Sequence, residues 1–201
     1  MSIHITQGSG KMQGIKSINT STTNNQFCTK MQSTDSVCSK CYASRYENMR
    51  PSLHNALERN DKILAESILP VQDLPVFNDL FIRGNSFGEL INDRHLKNLA
   101  NIARKNPQTL VTLWTKRKDL IKTVFSNFEK PENLQIIYSS PIINKQAKKP
   151  AFFDKVFTVY DKKTAINNNI EINCGSKSCM TCQTCYTKND TINVRELLKW
   201  N

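Results

Sequence analysis

The sequence predicts an α/β fold, a partial (β/α) barrel of parallel strands with cysteine-rich loops. Short apolar runs typical of strands alternate along the chain with segments of helical periodicity, an order that indicates parallel strands joined by right-handed crossovers. The cysteines fall into two groups, one near each end of the chain, and each group follows a predicted strand. Loops after the carboxyl ends of such strands build the site, so we expect both groups on one face.

The elements follow from periodicity and from the breakers between them. Residues 1–13 are polar and predict a loose start, whereas Pro51 should divide one long helical pattern into two helices. Asn106-Pro107 should end a later helix. The predicted elements are, in order, strand 14–20, helices from Ser39 to about Ser67, strand 76–83, helix 93–105, strand 109–115, helix 119–128, strand 134–138, strand 156–160 and a short helix in the tail 192–200.

The 201 residues predict a single domain. Its barrel core should span residues 14–165, and a cysteine-rich segment should follow over residues 170–201. No signal peptide is recognisable, and no apolar stretch approaches the roughly 18 residues that a membrane span needs. We therefore expect a cytoplasmic protein that makes no contact with membranes.

Seven cysteines are too many to leave without a role in such a chain. Three are upstream and four lie within twelve residues downstream: Cys28, Cys38, Cys41, Cys174, Cys179, Cys182 and Cys185. Their odd number and the absence of a secretion signal argue against disulfides. Thiolates at this density are soft ligands for iron–sulfur clusters or zinc, so all seven are candidate metal ligands.

The spacing of the downstream group favours iron–sulfur over zinc. Cys179, Cys182 and Cys185 form the Cys-x2-Cys-x2-Cys pattern that binds [4Fe–4S] clusters, and Cys174 is the nearest candidate for a fourth ligand. Three upstream ligands and four downstream ligands fit one cluster with an open iron and one closed cluster. The alternatives are a single four-cysteine site with three spare thiols, or zinc, whose ribbons usually pair two Cys-x2-Cys motifs.

The formal charge of +11 allows two interpretations. A basic balance suggests nucleic acid or another polyanion as a partner. The basic residues are nevertheless spread along the chain, with small concentrations only at Lys116-Arg117-Lys118 and Lys148-Lys149. A solvated surface therefore explains the charge equally well, and nucleic acid is only weakly supported.

Several motifs resemble a known family. The strand before Cys28, the loop ending in Cys41-Tyr42-Ala43 and the βα units that follow are similar to the start of radical S-adenosylmethionine (SAM) enzymes. More narrowly, the chain resembles the phage proteins called gene product 88, through the segments Ser17–Thr20, Cys38–Ala43, Phe81–Phe87, Leu113–Lys116 and Cys174–Tyr186. The resemblance implies a partial (β/α)₆ barrel in which three cysteines hold a [4Fe–4S] cluster and SAM binds its open iron. It also implies a phage-encoded protein acting in the host cytoplasm.

Six further residues are candidate cofactor contacts. By the resemblance, the segment Arg83–Glu89 holds the SAM amino group: Gly84 lets a ligand approach the backbone, and Asn85, Ser86 and Glu89 offer polar atoms. An ordinary turn with a helix cap is the alternative. Ser139 ends a strand and could contact a ribose or simply lie in a polar loop. Tyr42 could shield a cluster edge or pack.

Two hypotheses remain open from the sequence. The first is a radical-SAM-type enzyme with one or two [4Fe–4S] clusters and SAM as a small-molecule cofactor. The second is a non-catalytic cluster or zinc protein that binds nucleic acid or a host protein through basic loops. No Ser/His/Asp arrangement, phosphate-binding loop or carboxylate pair identifies a catalytic residue, so whether the chain is an enzyme stays undecided.

Overall fold

The fold is built on a seven-stranded sheet whose spatial order equals the order of the strands along the chain. It is seen in a computed structural model that describes residues 2–199. The strands are β1 (Ile5–Gln7), β2 (Lys16–Ile18), β3 (Phe81–Gly84), β4 (Leu110–Thr115), β5 (Leu134–Ser139), β6 (Lys155–Tyr160) and β7 (Asn193–Leu197). β1 pairs with β2 antiparallel, and every later pair is parallel.

Helices occupy most of the connections between the parallel strands. The α-helices are α1 (Gln26–Gln32), α2 (Tyr42–Asn48), α3 (Pro51–Glu66), α4 (Asp93–Lys105), α5 (Lys118–Phe125), α6 (Lys162–Asn167) and α7 (Cys179–Cys182). Short 3₁₀ helices span Gly10–Met12, Val37–Lys40 and Val71–Asp73. The connection from β5 to β6 has no helix.

One face of the sheet is covered by α3, α4 and α5. Alternate residues of the central strands point toward these helices and form the main core with them, because successive strand side chains lie on opposite faces. The fully buried members of this core include Ile82, Leu113, Ile136 and Val156 from the strands and Leu64, Leu99, Ile102 and Ile121 from the helices.

The opposite face is covered by the downstream cysteine segment. Tyr186 stacks on Phe81 of β3, with ring centroids 4.7 Å apart, and lies 5.4 Å from the ring of Trp114 on β4. Ile15 and Ile137 complete this second apolar cluster. The chain therefore has two cores, and the second depends on a segment close to the carboxyl terminus.

The mixed α/β class and the mostly parallel sheet are confirmed, and α4 has the predicted bounds. Two predictions were wrong. The amino-terminal stretch contains β1, because its backbone pairs with β2 from Ile5↔Ile18 to Gln7↔Lys16. The tail forms β7 and not a helix, because its backbone extends the sheet beside β6. The sheet therefore continues beyond residue 165, and β1 and β7 are its two edges.

Candidate functional site

The three upstream cysteines lie on short elements between β2 and α3. Cys28 is in the first turn of α1, Cys38 is in the second 3₁₀ helix, and Cys41 immediately precedes α2. Burial raises the pKa of Cys28 and Cys38, and the nearby Glu89 carboxylate and the other thiols of the group add to the rise. The charge of Lys116 acts in the opposite direction on both. These thiols therefore share one electrostatic environment.

Lys116 brings a partly buried cation to this group from the carboxyl end of β4. Its Nζ donates to Ser139 Oγ at the end of β5 (3.2 Å), and its backbone N donates to Glu89 Oε2 (2.8 Å). Burial alone would lower the pKa of Lys116, but the Cys38 thiol and the Glu89 carboxylate outweigh it and raise the pKa. A cation held here favours negative charge on the adjacent sulfurs.

Hydrogen bonds connect the cysteine-bearing elements to the loops after the strands. Asn25 Oδ1 caps α1 by accepting from the backbone N of Cys28 (3.3 Å), and Asn25 Nδ2 donates to the Glu89 carbonyl (2.9 Å). The Val37 backbone N donates to the Pro141 carbonyl beyond β5 (2.9 Å). The upstream group is thus positioned over the carboxyl ends of β3, β4 and β5.

A buried carboxylate on α2 also fixes the chain on both sides of this group. Glu47 is 1% exposed and accepts from Ser21 Oγ (2.5 Å), from Thr22 N (2.7 Å) and Oγ1 (2.5 Å), and from Thr23 Oγ1 (3.0 Å). His54 Nδ1 of α3 lies 3.0 Å from the same carboxylate. Glu47 therefore joins the loop that leads to Cys28 with the helix that follows Cys41.

Asp61 of α3 gives a pH-dependent prediction. It accepts from the Ser21 backbone N (2.9 Å), and burial is the main reason that its pKa is raised to about 7. The folded chain then binds this proton more tightly than the unfolded chain, so stability is lost as pH rises from about 4 through 7. We expect Asp61→Asn to raise the free energy of unfolding relative to wild type by about 1–2 kcal/mol more at pH 8 than at pH 5, after allowance for partial exposure.

Urea unfolding at the two pH values measures this difference. Asp119→Asn is the matched control: the hydrogen bond from Arg117 lowers the pKa of Asp119, so this carboxyl is ionised at both pH values and its loss should change stability equally at each. A pH-independent effect of Asp61→Asn would contradict the prediction.

The structure gives the predicted cofactor residues different surroundings. Gly84 ends β3, and a Cβ there would lie 3.2 Å from Leu113 Cδ1, so packing within the sheet already accounts for glycine. Tyr42 is 57% exposed and its OH donates to the Ser86 carbonyl (3.2 Å). Ser86 Oγ lies 3.0 Å from Ser17 Oγ on β2. Tyr42 and Ser86 are thus joined beside the upstream group.

Asn85 and Glu89 differ in how their polar atoms are used. The Glu89 carboxylate accepts from Thr115 Oγ1 (2.5 Å), Leu90 N (2.8 Å) and Lys116 N, so its main contacts are internal. Asn85 has a left-handed φ of 58°, is 5% exposed, and neither its Oδ1 nor its Nδ2 has a hydrogen-bond partner. Buried amides are normally paired, so Asn85 is the strongest candidate of this segment for a ligand contact.

The four downstream cysteines line a single small cavity of about 20 Å³. Its walls are formed by Lys11, Asn173, Cys174, Cys179, Cys182, Gln183, Thr184, Cys185, Tyr186 and Val194. Lys11 Nζ donates to Cys174 Sγ and to Glu196 Oε1, each at 3.2 Å. Burial raises the pKa of Cys185 to about 12, whereas a hydrogen bond with Thr184 lowers that of Cys182.

Polar side chains on the sheet hold this segment in place. Gln135 Nε2 on β5 donates to the Cys185 carbonyl (2.6 Å), and Arg83 on β3 donates to the Tyr186 OH (3.5 Å). The Lys155 Nζ on β6 donates to Asn189 Oδ1 (2.6 Å). Sequence reasoning did not single out Gln135, Lys155 or Lys11. The signal was available in Gln135, a polar residue inside an otherwise apolar strand.

The structure brings cysteines together within each group, but the upstream and downstream groups lie in separate environments. The pKa of each shifted thiol responds to cysteines or cations of its own group, with Lys116 upstream and Lys11 and Arg83 downstream. Burial opposes the charge of Arg83, but Tyr186 and Tyr42 outweigh it and raise its pKa. Arg83 therefore contacts Tyr186, which follows the last downstream cysteine, and its charge is also influenced by Tyr42, which follows the last upstream cysteine.

All seven cysteines are free thiols. Among residues 2–199, no three His, Cys, Asp or Glu side chains converge enough in their present conformations to hold a metal ion. The donor chemistry of each group suits a soft metal, but ligation requires the thiols to turn toward a common centre. Ser139 and Glu89 both contact Lys116 beside the upstream group, and none of the predicted cofactor contacts lines the downstream cavity.

Comparisons with known proteins give one match. A family model described as gene product 88 matches residues 4–197. No curated protein and no solved structure matches the chain. Over the described residues, no helix is both long and apolar enough to cross a membrane.

Proposed function

Because the chain belongs to the phage gene product 88 family, over a match that includes both cysteine groups, we propose that it is an iron–sulfur protein with a radical-SAM-like fold. The strand order supports a partial barrel: β2 to β7 are parallel and neighbouring in sequence, and α3, α4 and α5 cover one face. Successive right-handed crossovers between adjacent parallel strands place their helices on one side of the sheet, as barrels require.

The observation that carries the proposal is the upstream group over the carboxyl ends of the strands. Three thiols can supply three ligands to a [4Fe–4S] cluster and leave one iron open to a small molecule, for which SAM is the candidate. When bound, such a cluster supplies an electron for reductive cleavage of SAM. Lys116 balances charge at the sulfurs, and the unpartnered amide of Asn85 offers polar contacts to the ligand.

Anaerobic reconstitution with iron and sulfide tests this function. We expect brown protein that absorbs broadly near about 400 nm, contains iron and sulfide in equal amounts, and shows an EPR signal that SAM perturbs in the reduced state. An unperturbed signal together with intact SAM would exclude radical-SAM activity. Absence of iron from the reconstituted protein would contradict cluster binding itself.

Zinc is the second candidate, and the downstream cavity favours it there. All four downstream cysteines line one small cavity, so four thiol donors are available to a single ion. Four cysteines suit tetrahedral zinc. Colourless protein with stoichiometric zinc would support this candidate. If such a protein also bound nucleic acid through its +11 charge, affinity should fall steeply with salt.

A further inference from the structure

Arg83 is a partly buried cation, and the contacts of its guanidinium do not include a carboxylate. Its guanidinium lies 4.0 Å from the centroid of the Trp114 ring, and Nη1 donates to the Tyr186 OH (3.5 Å) and to Met12 Sδ (3.4 Å). The Nε is buried and has no partner. Among residues 2–199, every acidic side chain that forms an ion pair forms it with a cation other than Arg83. A buried charge without a counter-charge is costly.

Of the seven cysteines, one from the downstream group, Cys185, acts on the charge of Arg83. Tyr186 follows Cys185 directly, so the guanidinium contacts the end of the segment that lines the four-thiol cavity. The charge of Arg83 acts on the thiols of Cys179 and Cys185. The upstream thiols are influenced instead by Lys116. Each group thus has its own partly buried cation.

We propose that Arg83 is the counter-charge of an anionic metal–thiolate centre formed by the four downstream cysteines, an inference that rests on the proposed metal binding. A divalent ion held by four thiolates carries net negative charge, and a cluster held by four cysteine thiolates does as well. Lys11, which already contacts Cys174 Sγ, contributes a second cation but divides its charge with Glu196. Arg83 acts through the field at the sulfurs and is not itself a ligand.

Metal retention by the downstream group tests this assignment. In a full-length background with Cys28, Cys38 and Cys41 changed to Ser, the protein is loaded with Zn²⁺, or with iron and sulfide, and titrated with a chelator. We expect Arg83→Gln to weaken metal retention by about tenfold or more. Loss of the counter-charge should change the interaction with the thiolates by at least about one pKa unit, which is a factor of ten in an equilibrium constant. Arg83→Lys should stay within a few-fold of the background.

Two controls separate charge from folding. Lys116→Gln removes the cation beside the upstream group and should leave metal retention by the downstream group unchanged. Lys11→Gln removes a lysine of the first 3₁₀ helix and should weaken that retention less than Arg83→Gln does. Circular dichroism of the metal-free proteins checks that each variant folds. With iron and sulfide, loss of the positive charge should also lower the reduction potential of the centre.

The outcomes are distinguishable. A background that takes up no metal would contradict the proposed downstream centre, and this inference with it. A background that loads normally while Arg83→Gln retains metal equally well would overturn the inference alone. Equal weakening in Arg83→Lys and Arg83→Gln would also overturn it, because the effect would then follow shape and not charge.

Discussion

Replacing Cys38 with alanine is expected to remove one metal centre and leave the other. Cys38 shares its environment with Cys28, Cys41 and Lys116, and the downstream thiols line a different cavity. Iron per chain should therefore fall by about half if both groups hold [4Fe–4S] clusters. The SAM-dependent change in the EPR signal should disappear completely, because only the upstream group leaves an iron open.

Cys182→Ala is the matched variant. Cys182 is also half-buried, and its loss should reduce iron by a similar amount while the SAM-dependent signal persists. Iron and sulfide analysis of anaerobically prepared protein measures the loss of iron in each variant, and EPR with and without SAM measures the SAM-dependent signal. Loss of nearly all iron in both variants would instead indicate one centre that is shared by the two groups.

Glu47→Ala is expected to lower the free energy of unfolding by about 3 kcal/mol, since it leaves several buried donors without an acceptor. The same variant should lose the upstream centre and keep the downstream one, because Glu47 joins the segments on either side of Cys28 and Cys41. Urea unfolding and metal analysis of the same preparation measure the two effects together.

The pH dependence of Glu47→Gln sharpens this prediction. Burial opposes the charge of Glu47, but hydrogen bonds from Ser21 and Thr22 outweigh it and lower its pKa. The stabilisation is therefore fully present above the ordinary glutamate pKa of about 4.3 and is lost as pH falls through the folded value. The loss in free energy of unfolding caused by Glu47→Gln should therefore become smaller at acidic pH. Glu58→Ala, which removes an exposed ion pair with Lys62, should change stability little at any pH.

Sequence reasoning succeeded where local signals agreed with the tertiary structure. The apolar spacing of α4 is bounded by the side-chain cap of Asn92 and by Asn106 before proline, and its bounds were predicted correctly. The polar edge strands β1 and β7 were missed, because only pairing with a neighbouring strand selects the extended backbone there. Their conformation is decided by β2 and β6, which no local window contains.

The grouping of the cysteines was predictable from the sequence, and their surroundings were less so. Cysteine spacing predicted which thiols share an environment, but the cations beside them come from distant positions. Lys11 meets Cys174 across 163 residues of sequence, and Arg83 meets Tyr186 across 103. Gly84 also has a structural reason that its local sequence does not show, since a Cβ at this position would lie 3.2 Å from Leu113 Cδ1.

The segment that covers the second face has a consequence for how the chain folds. Lys11 and Glu196 are separated by 185 residues, so the contact between them forms only after residue 196 has left the ribosome. Contacts this distant in sequence form late and slowly. Until then Phe81 and Trp114 lack their covering tyrosine, and the nascent sheet presents an apolar surface that is open to chaperones and to aggregation. The downstream cavity is thus completed late in folding, whereas the upstream cysteines leave the ribosome well before it can form.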